Sequence, residues 1–189
     1  MTHSRDQFLA PLHRLMCFAQ WVQVRRMIEG IAVEPKQSFW IMNINLLADA
    51  AAIEWAKVFG SRDEDTHWTK AFPKDRHDEI RAALLKHVGL SKEEWEKYRD
   101  SIVSYRNQIV AHHDLDANVE KYPHYDVAIS AASFIFDQIR GVANQDWLGG
   151  IPTSLDGWSK TVAGNMSAIV KKAFEASAAL GSNVPKAAK

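Results

Sequence analysis

The residues best suited to chemistry stand together in the stretch RNQIVAHHDLD, residues 106–116. Arg106 offers a permanently charged guanidinium whose forked donors match phosphate oxygens. His112 offers an imidazole with an ordinary pKa of about 6.5, which can take or give a proton near neutral pH. Asn107 can orient a partner or a phosphate through both its donor and its acceptor. Without a thiol or a serine nucleophile, these groups favour phosphoryl transfer in which the substrate supplies the nucleophile, as the 2′-hydroxyl of RNA does.

A buried helix must position these groups. The sequence becomes largely apolar after Asp100, so Arg106 should be partly buried, and an unpaired buried guanidinium costs several kcal/mol. We therefore expect Arg106 to have a partner. On a regular helix of about 100° per residue, Arg106 and His112 point about 120° apart. The pair needs either an unwound last turn or a second copy of the helix, which a twofold dimer would supply.

The run RNQIVAH, residues 106–112, resembles the signature of the HEPN superfamily of small helical proteins. That signature has an arginine, a polar residue, four further residues and a histidine. The segment EWAKVFGSRDEDTHWTKAF, residues 54–72, is similar to the segment that precedes the signature in the abortive-infection branch of the superfamily. The resemblance implies a metal-independent endoribonuclease, usually a dimer with a composite site. It implies that Arg106 stabilises the transition state, Asn107 orients, and His112 acts as general base or acid.

The function expected from this resemblance is RNA cleavage in phage defence or in a toxin–antitoxin system, with no cofactor. The expected partners are an RNA substrate, a second copy of the chain, and an antitoxin or another regulatory protein. The superfamily also contains non-catalytic interaction and nucleotide-binding modules. A second interpretation is therefore a module in which the same residues hold a dimer together or bind a nucleotide.

Two further interpretations of this stretch do not involve ribonuclease activity. Cationic side chains favour the negative end of a helix dipole, which would account for the two histidines at the end of this helix, and an aspartate then begins a loop. A metal-dependent hydrolase could use side chains of suitable ligand type in this region, namely His112, His113, Asp114, Asp116 and His124. Adjacent histidines point in different directions, however, so we predict no metal site.

Composition limits the remaining classes of function. The formal net charge is zero, from 23 basic and 23 acidic side chains, so no global field holds nucleic acid, and an anionic ligand needs a local site. The single Cys17 cannot form an internal disulfide, and no apolar run approaches the ~20 residues that span a bilayer. We expect a cytoplasmic protein without membrane contact.

Helical periodicity organises the rest of the chain. It predicts helices at residues 5–29, 36–59, 74–88, 91–112, 125–143 and 155–180. The second is apolar over most of its surface and should be the most buried. Short connections favour antiparallel neighbours. We predict an all-α, HEPN-like up-down helical bundle with a four-helix core and peripheral helices, forming one domain over residues 1–180 with a flexible tail at 181–189.

His67 and Trp68 stand in a polar connection between the second and third helices. They could belong to a functional loop or could pack as a lid on the bundle. Tryptophan anchors structure more often than it reacts, so we favour packing.

Overall fold

Helices account for all the regular structure in the part of the chain described here. A computed structural model describes residues 4–31, 37–107, 123–178 and 180. Within these ranges there is no strand, and the all-α prediction is confirmed. The six α-helices are α1 (Arg5–Ile31), α2 (Ser38–Phe59), α3 (His77–Val88), α4 (Lys92–Tyr105), α5 (Asp126–Val142) and α6 (Leu155–Ala178). Short 3-10 turns lie at Trp68–Ala71, Lys74–Arg76 and Gln145–Trp147. The expected tail at 181–189 lies outside the described residues.

Local sequence signals set the start of α4 and the end of α3. The Ser91 Oγ accepts a hydrogen bond from the Glu94 amide at 3.2 Å, and the Glu94 carboxylate accepts one from the Ser91 amide at 2.8 Å. This reciprocal pair is a capping box, which satisfies two amides at the start of the helix. The end of α3 is closed by Gly89, whose φ of +70° is a conformation that suits glycine.

Gly60 ends α2 for a different physical reason. Its amide donates to the Ala56 carbonyl at 2.8 Å, and a Cβ atom built on Gly60 would lie 2.4 Å from that same oxygen. A side chain would therefore clash with backbone that cannot move independently of the helix. Glycine at this position lets the chain leave α2 abruptly and enter the connection that carries His67.

The core is organised around α1, which contacts α2, α5 and α6. The largest fully buried side chains of the core come from all six helices: Leu12, Leu15, Phe18, Trp55, Leu84, Ile102, Ile135, Phe136, Ile139 and Leu155. The helix α3 packs on α5, and α4 packs on α2. The α2–α4 contact includes the end of α4, where Ile102 and Tyr105 are buried.

The prediction that α2 is the most buried helix is wrong for its first half. Phe39, Met42 and Leu46 are 55%, 52% and 55% exposed, on one stripe at helical spacing. On the opposite side Trp40 is buried against Phe174 of α6, with ring centroids 5.5 Å apart. The first half of α2 thus buries one face only, and apolar composition alone did not distinguish the two faces.

A smaller hydrophobic cluster joins α1, α2 and α6. It contains Val24, Ile28, Trp40, Val162 and Val170. On α6, Val170 is buried in this cluster, whereas its neighbour Ile169 is 69% exposed. In the described ranges, no helix is both long and apolar enough to cross a membrane.

Candidate functional site

Arg106 and Asn107 follow directly on α4, where the backbone widens into π-helical geometry. The Arg106 amide is shared between the carbonyls of Ile102 and Val103. Such local widening of a helix often marks functional sites. The signature therefore begins at a departure from regular α-helix. His112, His113, Asp114 and Asp116 lie outside the described residues, as does the rest of 108–122.

The side chain of Arg106 is partly buried, and its Nε atom is fully enclosed. No described residue offers that atom a hydrogen bond. A buried donor without a partner costs about 1–3 kcal/mol, and more when the group is charged. The partner expected from the sequence is therefore not found in the described chain. The candidates are residues outside the described ranges, another molecule of the chain, and a ligand.

Asn107 is exposed, in contrast to its neighbour. The two residues thus present different groups at the end of α4. Arg106 contributes an enclosed charge, and Asn107 contributes an amide that solvent can reach.

Tyrosine side chains fix the end of α4 and the start of α5 to α2. The Tyr105 hydroxyl donates to the Asp49 carboxylate at 2.5 Å, and the Tyr125 hydroxyl donates to the Ala48 carbonyl at 2.7 Å. The described chain before residue 108 and after residue 122 is therefore attached to the same turn of α2. The signature does not include these tyrosines, although Tyr105 lies in the largely apolar run that follows Asp100.

A third tyrosine connects the two flanking helices directly. The Tyr98 hydroxyl donates to the His124 carbonyl at 2.7 Å and accepts from the Ala128 amide at 3.0 Å. Burial raises the pKa of Tyr98 far above its usual range, so the hydroxyl keeps its proton and remains a donor. The chain on both sides of residues 108–122 is thus held at fixed positions.

The described ranges contain little that supports the metal-site alternative. There, no group of three or more histidine, cysteine, aspartate or glutamate side chains is arranged to hold an ion. Of the five candidate ligands only His124 is described, and it is exposed. The other four lie outside the described residues, so this alternative stays a hypothesis.

His67 and Trp68 are both buried, which confirms the packing interpretation. The His67 Nδ1 accepts a hydrogen bond from the Thr69 amide at 3.3 Å and lies 2.8 Å from the Thr69 Oγ1. Burial, together with the nearby positive charges of Arg62, Lys70 and Arg99, lowers the pKa of His67 to about 4. This histidine is therefore neutral at pH 7.

Comparison with known proteins adds no assignment. No family model matches the chain, no curated protein matches it significantly, and no solved structure does so.

Proposed function

We propose that the chain is a HEPN-type, metal-independent endoribonuclease that acts as a homodimer. Its fold would be the HEPN-like up-down bundle with a four-helix core. The observation that carries the proposal is the enclosed Nε of Arg106, which no described residue satisfies, at the end of α4. A charged donor held in this state is suited to a phosphate that arrives from outside the chain.

The proposed reaction uses the RNA 2′-hydroxyl as nucleophile. His112 of one molecule takes the hydroxyl proton as the 2′-oxygen attacks the adjacent phosphorus. Arg106 stabilises the negative charge that develops on the phosphoryl oxygens, and Asn107 orients the phosphate or the histidine. The bond to the 5′-oxygen breaks and that oxygen is protonated. The products are a 2′,3′-cyclic phosphate and a 5′-hydroxyl.

The proposed setting is phage defence or a toxin–antitoxin system in the cytoplasm. This part rests on the resemblance of residues 54–72 and 106–112 to the abortive-infection branch. An antitoxin or another protein would then restrain the nuclease.

The test is cleavage of RNA by purified protein in excess EDTA. We expect 2′,3′-cyclic phosphate ends from the wild type, and loss of cleavage by at least about a hundredfold in Arg106→Ala and His112→Ala, as for removal of acid–base or charge-stabilising groups. His113→Ala is the matched control, since it removes the neighbouring imidazole, which the signature does not use.

Two results would contradict the site. One is cleavage that persists in both Arg106→Ala and His112→Ala. The other is equal loss of cleavage in His113→Ala. Thermal melting of each variant should stay within a few degrees of the wild type, so that loss of activity is not loss of fold.

A non-catalytic module is the second candidate, and the same Arg106 observation favours it. A partner chain could satisfy the enclosed Nε by hydrogen bonding across a dimer interface. Under this function Arg106→Ala should lose dimerisation, seen by analytical ultracentrifugation, or should lose a bound nucleotide. The wild type would then show no RNA cleavage at any protein concentration.

A further inference from the structure

Three arginines line an open cleft away from the end of α4. The cleft lies between the connection after α2, the helix α3 and the first half of α4. Its volume is about 350 Å³, including its solvent-open mouth. Three arginines and a histidine contribute the polar wall, and aromatic and aliphatic side chains contribute the rest: Arg62, His67, Arg81, Arg99, Phe59, Trp68, Leu84 and Trp95.

The positive charge of this cleft is only partly compensated. Arg81 donates to Asp78 at 2.7 Å, and Arg99 donates to Asp100 at 2.7 Å, but both carboxylates are well exposed. Exposed ion pairs of this kind contribute little. Arg62 is exposed and makes no hydrogen bond or ion pair with any residue that the structure describes. The acidic residues 63–65 that follow it do not pair with it.

His67 adds an uncharged donor to the same wall. Its Nδ1 accepts from the Thr69 amide, so the proton of the neutral ring lies on Nε2. Nε2 has no hydrogen-bond partner among the described residues. A neutral imidazole can donate one hydrogen bond without adding a charge to be desolvated.

The apolar wall strengthens the electrostatics of the cleft. Trp95 and Trp68 are buried, and Trp95 packs edge-on against Phe59 with ring centroids 5.8 Å apart. Such walls exclude water and lower the local dielectric constant, so a guanidinium attracts an anion more strongly than it would on an open surface.

We propose that this cleft binds a phosphate monoester, with Arg62, Arg81 and Arg99 as the charged donors and His67 Nε2 as the neutral one. A phosphate monoester carries about −1.5 to −2 charge and three acceptor oxygens. It therefore matches a site with several guanidinium groups better than a single carboxylate does. The cleft holds the phosphate and a small part of its carrier, such as a nucleotide or the 5′ end of an RNA. The proposal does not depend on the ribonuclease function, because none of these residues belongs to the signature.

The test is isothermal titration of the full chain with inorganic phosphate, a nucleoside 5′-monophosphate, and a tetraribonucleotide with or without a 5′-phosphate. Arg62→Ala should weaken phosphate binding by about tenfold or more, because it removes a charged hydrogen-bond donor to the phosphate. Arg62 is exposed and unpaired with described residues, so this change should not affect folding. Arg76→Gln is the control, because Arg76 pairs with Glu79 at the start of α3 outside the cleft.

Indole N–H signals locate the bound phosphate by NMR. Those of Trp68 and Trp95 should shift on titration, and that of Trp158, which does not line the cleft, should not. Tighter binding of the 5′-monophosphate than of the 5′-phosphorylated RNA identifies a nucleotide site, and the reverse order identifies an RNA-end site. The proposal is overturned if the wild type binds none of these probes, if Arg62→Ala binds as tightly as the wild type, or if Arg76→Gln loses as much affinity.

Discussion

Charged and titratable side chains in this chain are held in states that water alone would not favour. Arg106 keeps an enclosed Nε without a described partner, and His67 is buried as a neutral ring among positive neighbours. The sequence correctly predicted the partial burial of Arg106 from its apolar surroundings. It could not predict the state of His67, because the arginines that surround it come from three separate segments of the chain.

His67 should make the stability of the fold depend on pH. The pKa of this histidine is 6.5 in ordinary surroundings and about 4 in the fold, so the unfolded chain binds the proton first. Its contribution is fully present above pH 6.5 and is lost as the pH falls toward 4. We expect the wild type to lose on the order of 3 kcal/mol more than His67→Asn between pH 7 and pH 4 in urea unfolding.

Asparagine is a suitable replacement in that comparison because it still accepts a hydrogen bond and does not titrate. The carboxylates and the other histidines titrate in both proteins. Only the difference between the two losses of unfolding free energy therefore reports on His67. Equal losses of stability in the two proteins would show that His67 is not held neutral by the fold.

Helix boundaries were the elements best predicted from sequence, since their signals are local. The Ser91–Glu94 capping box, Gly60 and Gly89 each end or begin a helix where expected. The exposed stripe of α2 could not be predicted in the same way. Whether Phe39, Met42 and Leu46 are buried depends on which helices arrive from elsewhere in the chain, and a single-helix pattern carries no such information.

Gly60→Ala should destabilise the fold through the end of α2. The added Cβ would meet the Ala56 carbonyl at 2.4 Å, so the backbone must shift and weaken the hydrogen bond that ends the helix. We expect a loss of about 1–3 kcal/mol in the free energy of unfolding, typical of backbone strain.

Gly164→Ala in α6 is the matched control for that substitution. Nothing lies within 4 Å of its built Cβ, and alanine is the better helix former. It should stabilise by about 0.5–1 kcal/mol. A Gly60→Ala protein as stable as Gly164→Ala would show that the close approach at Ala56 is relieved at no cost.

At the scale of the whole molecule, the proposed composite site requires two chains. If each site combines Arg106 of one chain with His112 of the other, the Arg106→Ala chain still supplies His112. The His112→Ala chain still supplies Arg106. A dimer of one Arg106→Ala chain and one His112→Ala chain then contains one complete site and one empty of both groups. Half of the dimers in an equal, randomly exchanged mixture are of this kind, so we expect about a quarter of wild-type cleavage.

Mixing the two purified variants, followed by RNA cleavage in EDTA, measures this recovery directly. Each variant alone provides the baseline. A mixture as inactive as its components, although subunits exchange, would place both groups of one site in the same chain.

The tyrosine anchors on α2 have a consequence for how this protein can vary. Tyr105 and Tyr125 bind adjacent residues of α2, so the described chain on either side of residues 108–122 is attached to one turn of that helix. The entropy of closing a loop rises only with the logarithm of its length, by about 0.6 kcal/mol for each doubling. Insertions after Asp116 should therefore be tolerated by the bundle, which makes this position suitable for a fused tag or reporter.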